Sequence, residues 1–295
     1  MVAESRAMFP CFGGRVTIVA EAGDLIPLRV LLESWHRRLT RFDPRSELCL
    51  LNANPREEVR VSPLMARFVA AAIDAAERTD GLVDPTLVPE IEAAGYITDL
   101  GAPVDLKTAL ALAPPARPAR PSPARRWLEV SVDPVRRTVT RTPGVALDSG
   151  GIAKGMLADM AGESLRGVAS FAVDLCGDVA IGGRGTLERP VLVDDPFGRG
   201  TPLHEFRMTR GGVATSGIGR RSWIGADGLP MHHLLDPSTG RPAYTGVVQA
   251  TALAPTAADA EVRAKAALLS GDRAWLAHGG VLVFDDGSHM VAERP

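Results

Sequence analysis

Residues 231–242 read MHHLLDPSTGRP and place two of the chain's six histidines just ahead of an Asp-Pro turn. Histidine exchanges a proton near neutral pH, so a reactive role is open to either one. Taken alone, the stretch reads as a short strand over 231–235 running into a turn, with His233 a structural histidine. Three more glycine-bearing turns accompany it: DSGGIAKG (148–155), DLCGDVAIGG (174–183) and ATSGIG (214–219). Glycine lets backbone N–H groups come close to a ligand, and a helix N-terminus favours anions. Lys154 would add a positive charge in the first turn of such a helix. Each segment alone is simply a turn; together they point to a phosphate-bearing ligand.

Two familiar signatures fail. DSGG at 148–151 is the nucleophile loop of chymotrypsin-like proteases only if a His and an Asp lie upstream, and the only upstream histidine, His36, falls inside an amphipathic helix. GGIAKG lacks the spacing of a nucleotide P-loop and the Ser or Thr that follows its Lys.

The elements that would position these residues are set by pattern. Residues 15–20 alternate as an early strand, and residues 26–39 carry apolar side chains at helical spacing. Ser62-Pro63 is an N-cap followed by Pro in the first helical turn, opening a helix to about Arg78 that Thr79-Asp80-Gly81 ends. Residues 112–126, LAPPARPARPSPARR, predict an exposed, extended connector outside the core. Residues 127–139 predict strand, turn and strand. A helix runs from Gly151 through Leu165, a strand over 171–175, a strand over 247–252 and an alanine-rich helix over 257–269. VLVFDD and HMVAE fit a hairpin around Asp286-Gly287. Strands and helices mix without regular alternation, which predicts α+β rather than a doubly wound sheet.

The chain has 295 residues, a net charge of −2 and 5% aromatic residues, which argues against a nucleic-acid partner. Cys11, Cys49 and Cys176 are far apart and odd in number, so they form no disulfide framework and no zinc spacing. No apolar run approaches the roughly 18 residues of a membrane helix. MVAESRAMFPCFGG lacks a basic start and apolar run, so no membrane insertion and a cytoplasmic location are expected.

In order, the segments resemble the ApbE-type FAD:protein FMN transferases over nearly the whole chain. FGGRVTI (12–18) stands where that family has Met-Gly-Thr and its first strand. FDPRSELCLLN (42–52) is similar to its Pro-x-Ser-Glu-Leu segment, TDGLVDPT (79–86) to Thr-x-Gly-x-Phe-Asp-x-Thr, and LDSGGIAKG to Asp-Leu-Gly-Gly-Ile-Ala-Lys-Gly. DLCGDV stands for Asn-x-Gly-Gly-Asp, VATSG (213–217) matches throughout, and HLLDPSTGRP resembles His-Ile-x-Asp-Pro-x-Thr-Gly-x-Pro. AADAEVR (257–263) aligns with Ala-Asp-Ala-x-Ala-Thr.

The resemblance implies a single α+β domain over 1–295, two-lobed, with mixed β-sheets, flanking helices and a flavin cleft between the lobes. It implies that FAD is cleaved with Mg²⁺ and its FMN attached by a phosphoester to a Thr or Ser of an acceptor flavoprotein. It makes His233, Asp236 and Lys154 the catalytic set, with His233 as base beside the reacting phosphate, Asp236 shaping the turn and Lys154 at the phosphates. The matching motifs make Phe12, Cys49, Leu50, Leu51, Asp84, Thr86, Lys154, Gly177, Asp178, Thr215, Ser216, Gly217 and His233 the FAD-binding set. Gly151 would offer its carbonyl and Asp259 its carboxylate to the metal, with Arg263 where the family has a Thr ligand. On a helix, Asp259 and Arg263 share a face and can pair. Phe12, Gly14, Val83, Asp174 and Cys176 also depart from the family's residues, and its aromatic segment after Asp-x-Thr is not recognisable in VPEIEAAGYITDLG. Two alternatives to transfer remain: hydrolysis of FAD to FMN and AMP, and FAD binding without catalysis.

Overall fold

The computed structural model describes residues 4–98 and 104–294. The first three residues of the N-terminal stretch and the end of the segment at 88–101 lie outside the described residues.

An eight-stranded sheet carries the fold. Its strands, in spatial order, are Ser5–Cys11, Gly14–Ala20, Phe171–Leu175, Asp178–Gly182, Gly211–Gly217, Val247–Ala254, Gly280–Phe284 and His289–Ala292, which is also their order in the chain. Every pairing within it is antiparallel. The smaller ladders are antiparallel too, which corrects the expectation of mixed sheets among the described residues. The α+β class stands, because helices lie against an antiparallel sheet rather than crossing between parallel strands.

Two hairpins are tight for a stated reason. Phe12 and Gly13 link the first two strands at φ of 56° and 69°, and Cys176 and Gly177 link the next two at 61° and 99°. Positive φ at both central residues matches a two-residue turn to the strand twist. These turns place Phe12, which is buried, between the first two strands and set Asp178 at the start of the fourth.

Among the described residues seven helices complete the framework: α1 (Ile26–Leu39), α2 (Glu47–Ala53), α3 (Pro63–Arg78), α4 (Val88–Ala93), α5 (Leu106–Ala111), α6 (Ala153–Ser164) and α7 (Ala257–Ser270). In α1 the buried residues are Leu28, Leu32, Trp35 and Leu39, the stripe that the sequence spacing predicts. The Ser62 hydroxyl caps α3 by accepting from the Met65 N–H at 3.1 Å.

The close packing of α6 on α7 brings Lys154 and Glu261 within reach of each other. The Asp159 carboxylate on α6 accepts from the N–H groups of Ala257 and Ala258, at 2.8 and 2.9 Å, and so satisfies the first turn of α7. Gly155 makes the approach possible, since a Cβ there would stand 2.5 Å from the Ala257 carbonyl oxygen. Helix α7 is also packed against the sheet, so residues are buried around most of its circumference.

Three local expectations change. The connector at 112–126 is extended, but it is not loose: Arg117 and Ala119 N–H groups donate to the Tyr244 and Leu269 carbonyls at 2.8 Å each, and Ala119 is buried. Residues 127–139 begin with a single 3-10 turn, Arg126–Glu129, before the strands Val130–Asp133 and Thr138–Arg141, because Trp127 is a buried anchor against Gly81. The strand over 231–235 is broken. Pro230–His232 pairs with Ser222–Ile224, Leu235–Asp236 pairs with Arg241–Pro242, and His233 falls in the gap.

Candidate active site

Where α1, the α6 N-terminus, α7 and the 231–236 segment converge, a cavity of about 310 Å³ opens. That is at the lower end of the roughly 300–1000 Å³ typical of ligand pockets. Of the expected site residues, Phe12, Asp84, Gly151, Lys154 and His233 line it. Gly150, Gly151, Ala153 and Lys154 bring the start of α6 into the wall, where the Ala153 N–H donates to the Ser149 carbonyl at 3.0 Å.

The charged end is built from two lysines and two carboxylates. The Lys154 ammonium bonds the Asp178 carboxylate and lies 3.8 Å from Glu261 Oε1. Lys265 Nζ donates to the same Glu261 oxygen at 3.2 Å. Glu261 Oε2 accepts from the Gly155 N–H at 2.8 Å. Burial opposes the charge on Lys154, yet Asp178 and Glu261 together hold its pKa above the ordinary value. Burial and the Glu261 charge push Asp178 up to about 6, against the pull of both lysines. Arg221 adds a third cation to the wall and donates to the Phe12 carbonyl at 2.9 Å.

His233 sits beside this cluster. Its Nδ1 is 3.4 Å from the Arg221 carbonyl oxygen. A carbonyl can only accept, so the proton belongs on Nδ1 and the Nε2 lone pair is left free. Burial first, then the charges of Arg221, His232 and Lys265, hold its pKa well below 6.5. At neutral pH the imidazole is a neutral proton acceptor.

The other wall is aromatic. The Arg41 guanidinium lies 4.4 Å from the Phe42 ring centre and 4.6 Å from that of Tyr96, and Tyr96 stacks on Trp223 at 5.5 Å. Phe12 closes on His36 edge-to-face at 4.7 Å. Tyr96 lies within the very segment where no aromatic motif is recognisable. Arg41, Phe42, Tyr96, Arg221 and Lys265 line the cavity without having been expected there. Phe42 opens the FDPRSELCLLN segment, Tyr96 is a lone aromatic after the Asp-x-Thr motif and Lys265 a lysine on the alanine-rich helix; Arg41 and Arg221 carried no sequence signal.

The remaining expected residues stand behind the wall. Thr86 donates its N–H and hydroxyl to Asp84, at 2.8 and 2.5 Å, and so fixes a carboxylate whose pKa burial raises. Gly177 lies in the hairpin that carries Asp178 and accepts at its carbonyl from the Thr215 N–H at 3.1 Å, the Thr215 hydroxyl meets that of Thr251 at 2.8 Å, and Ser216 and Gly217 pair with Ala250 and Gln249 of the next strand. On α2, Cys49 Sγ faces the Arg41 carbonyl at 3.3 Å, Leu50 is exposed, and Leu51 is core. That segment underlies Thr40 and Arg41 rather than forming the wall. Asp236 is corrected as a catalytic candidate: its Oδ1 accepts from the Arg120 and Ser238 N–H groups, at 3.0 Å each, and it fastens the turn to the connector.

The expected metal site does not form. Asp259 accepts at Oδ1 from Arg78 at 2.5 Å and at Oδ2 from Arg263 at 2.9 Å, away from the cavity lining. Its carboxylate is already neutralised by two guanidinium groups, and Arg263 is an ion-pair partner rather than part of the site. Two residues further along α7 stands a second such pair, in which Lys265 lines the cavity and Glu261 is buried behind it. An ammonium repels a cation, and Lys265 Cε lies only 3.8 Å from where a Gly151 Cβ would be. No group of three or more His, Cys, Asp or Glu side chains able to hold a metal occurs among the described residues. These residues do not fit Mg²⁺.

An antiparallel sheet flanked by helices thus carries a cavity lined at one end by Lys154, Arg221 and Lys265. The chain belongs to the ApbE family, whose sequence profile matches residues 12–279. It is 28% identical over 242 residues to the FAD:protein FMN transferase of Rhodobacter capsulatus, covering 79% of this chain and 45% of that protein. It is 37% identical over 141 residues to the FAD:protein FMN transferase of Treponema pallidum, covering 43% of this chain and 39% of that one. The chain therefore spans less than half the length of these two relatives. The crystal structure of the ApbE protein from Thermotoga maritima superposes with a TM-score of 0.79 at 26% identity, covering 99% of this chain and 97% of that one. No helix among the described residues is long and apolar enough to cross a membrane.

Proposed function

We propose that this chain is an FAD:protein FMN transferase, which breaks the diphosphate of FAD and joins the FMN half to a Thr or Ser hydroxyl of an acceptor flavoprotein. One observation carries the reading: a neutral His233 stands beside Lys154, Lys265 and Arg221 in a single cavity. Diphosphate cleavage consists largely of positioning and of neutralising charge on phosphate oxygens. The lysines and the α6 N-terminus suit the diphosphate, and the Arg41, Phe42 and Tyr96 wall suits a flat aromatic ring.

In this reaction the acceptor hydroxyl oxygen forms a bond to the FMN phosphorus. The bond from that phosphorus to the bridging oxygen breaks, and AMP leaves. The hydroxyl proton passes to His233 Nε2, which makes a weak nucleophile competent. Asp84, fixed by Thr86, and Asp178, fixed by Lys154, hold the wall in register rather than touching the reacting atoms. The test is to incubate the protein with FAD and a Thr-bearing acceptor flavoprotein and weigh the acceptor by mass spectrometry. A gain of one FMN with release of AMP is expected. FMN and AMP released in equal amounts, with the acceptor unchanged, would replace transfer by hydrolysis.

A further inference from the structure

On α7, Lys265 lines the cavity and pairs with Glu261 four residues earlier, which is buried behind it with no carboxylate oxygen left unpartnered for a divalent cation. Glu261 is 1% exposed, and both its oxygens are taken: one by the Gly155 N–H, the other by Lys265 at 3.2 Å with Lys154 at 3.8 Å. One buried carboxylate thus holds two ammonium groups at the edge of one cavity, both of which line it. Only Lys154 has a second carboxylate, Asp178. With Arg221, three cations face two carboxylates at this end, leaving an excess of positive charge before any ligand enters.

We propose that Lys265, with Lys154, does the charge neutralisation that a metal ion would otherwise do, so the cavity binds a diphosphate ester without a divalent cation. A lysine ammonium has three donors and a flexible stem, so Nζ of Lys265 can keep its Glu261 bond while donating to a phosphate oxygen. Glu261 then acts as a positioning residue: it holds the two ammonium groups together, which would otherwise repel. The ion pair Asp259–Arg263, on the opposite face of α7, plays no part. The inference rests on the proposed function in taking FAD as the ligand, and it adds what neutralises the diphosphate.

The experiment is calorimetric titration of FAD, ADP and inorganic pyrophosphate into metal-stripped protein in EDTA, and again in excess Mg²⁺. A separate Mn²⁺ titration is followed by electron paramagnetic resonance. FAD and ADP should bind in EDTA with affinities that Mg²⁺ changes by less than about twofold, and Mn²⁺ alone should not bind. Lys265→Met should weaken FAD and ADP about 10- to 100-fold, the usual effect of losing a hydrogen bond to a charged group, with riboflavin binding unchanged. The Mn²⁺ titration needs no variant, so it decides the matter even if Lys265→Met fails to fold. A tenfold gain in FAD affinity with Mg²⁺, or stoichiometric Mn²⁺ binding, would overturn the lysine assignment and leave the transferase reading intact. Metal-independent binding of pyrophosphate and ADP with none of FAD would instead support the lysines and overturn FAD as the ligand.

Discussion

Lowering the pH from 7 to 5 should destabilise this fold through His232, the histidine that does not face the cavity. His232 is 2% exposed, packs edge-on against Tyr244 at 5.0 Å, and has neither ring nitrogen in a well-formed hydrogen bond. Burial lowers its pKa from 6.5 to about 3. The unfolded chain therefore binds a proton below pH 6.5 that the folded protein refuses, and stability falls as the pH drops through that window. Each pH unit below 6.5 removes about 1.4 kcal/mol, so the step from 7 to 5 removes roughly 2 kcal/mol through this one side chain. That is a large share of the roughly 5–15 kcal/mol typical of a domain. His232→Leu keeps the packing against Tyr244 and deletes the titrating group. The assay is urea unfolding of both proteins at pH 7 and pH 5. The variant should be as stable as the parent at pH 7 and about 2 kcal/mol less sensitive to the acid step. His233 is present in both proteins, so its own contribution cancels in the comparison. Equal acid sensitivity would show that His232 finds a proton partner in the folded state, and the reasoning would fail.

The same geometry sets other outcomes. His233→Ala should retain FAD binding by calorimetry while transfer falls about 10²–10⁴-fold, the range for loss of a general base. Because His233 stays neutral well below pH 6.5, the transfer rate should show no inflection from His233 at that pH, and an inflection near pH 6 should vanish in Asp178→Asn, measured over the range in which the fold is intact. Arg263→Thr should leave Mg²⁺ affinity and turnover unchanged and cost at most about 1 kcal/mol in denaturant unfolding, as befits an ion pair outside the cavity. Gly155→Ala should lower the melting temperature, since overpacking of this kind costs about 1–3 kcal/mol where α6 meets α7.

Local chemistry made much of this fold legible. The apolar spacing in α1, the Ser62-Pro63 start of α3 and the alternation in Phe171–Leu175 each depend on residues a few positions apart, and all three match the structure. The glycine turns and Lys154 were legible for the same reason. What could not be read depends on contacts across the chain. Arg41, Tyr96 and Trp223 come from three segments and meet only in the folded state. The face of α7 was misread for a different reason. Asp259–Arg263 and Glu261–Lys265 are both acid-to-base pairs four residues apart, and a two-residue offset turns the helix by about 200°. Alanine surrounds both pairs, and α7 is buried against the sheet and α6, so no apolar stripe marks which pair faces the cavity. His233 was found by resemblance; its freedom to act comes from a break in the strand pairing that alternation does not foretell.

His233 and the lysine cluster are proposed to serve transfer of FMN from FAD to a protein hydroxyl. The most direct measurement is the mass of a Thr-bearing acceptor flavoprotein after incubation with FAD and either the parent protein or His233→Ala. The parent alone should yield an acceptor heavier by one FMN, with AMP released mole for mole. An acceptor of unchanged mass, from a parent protein shown by calorimetry to bind FAD, would contradict this role.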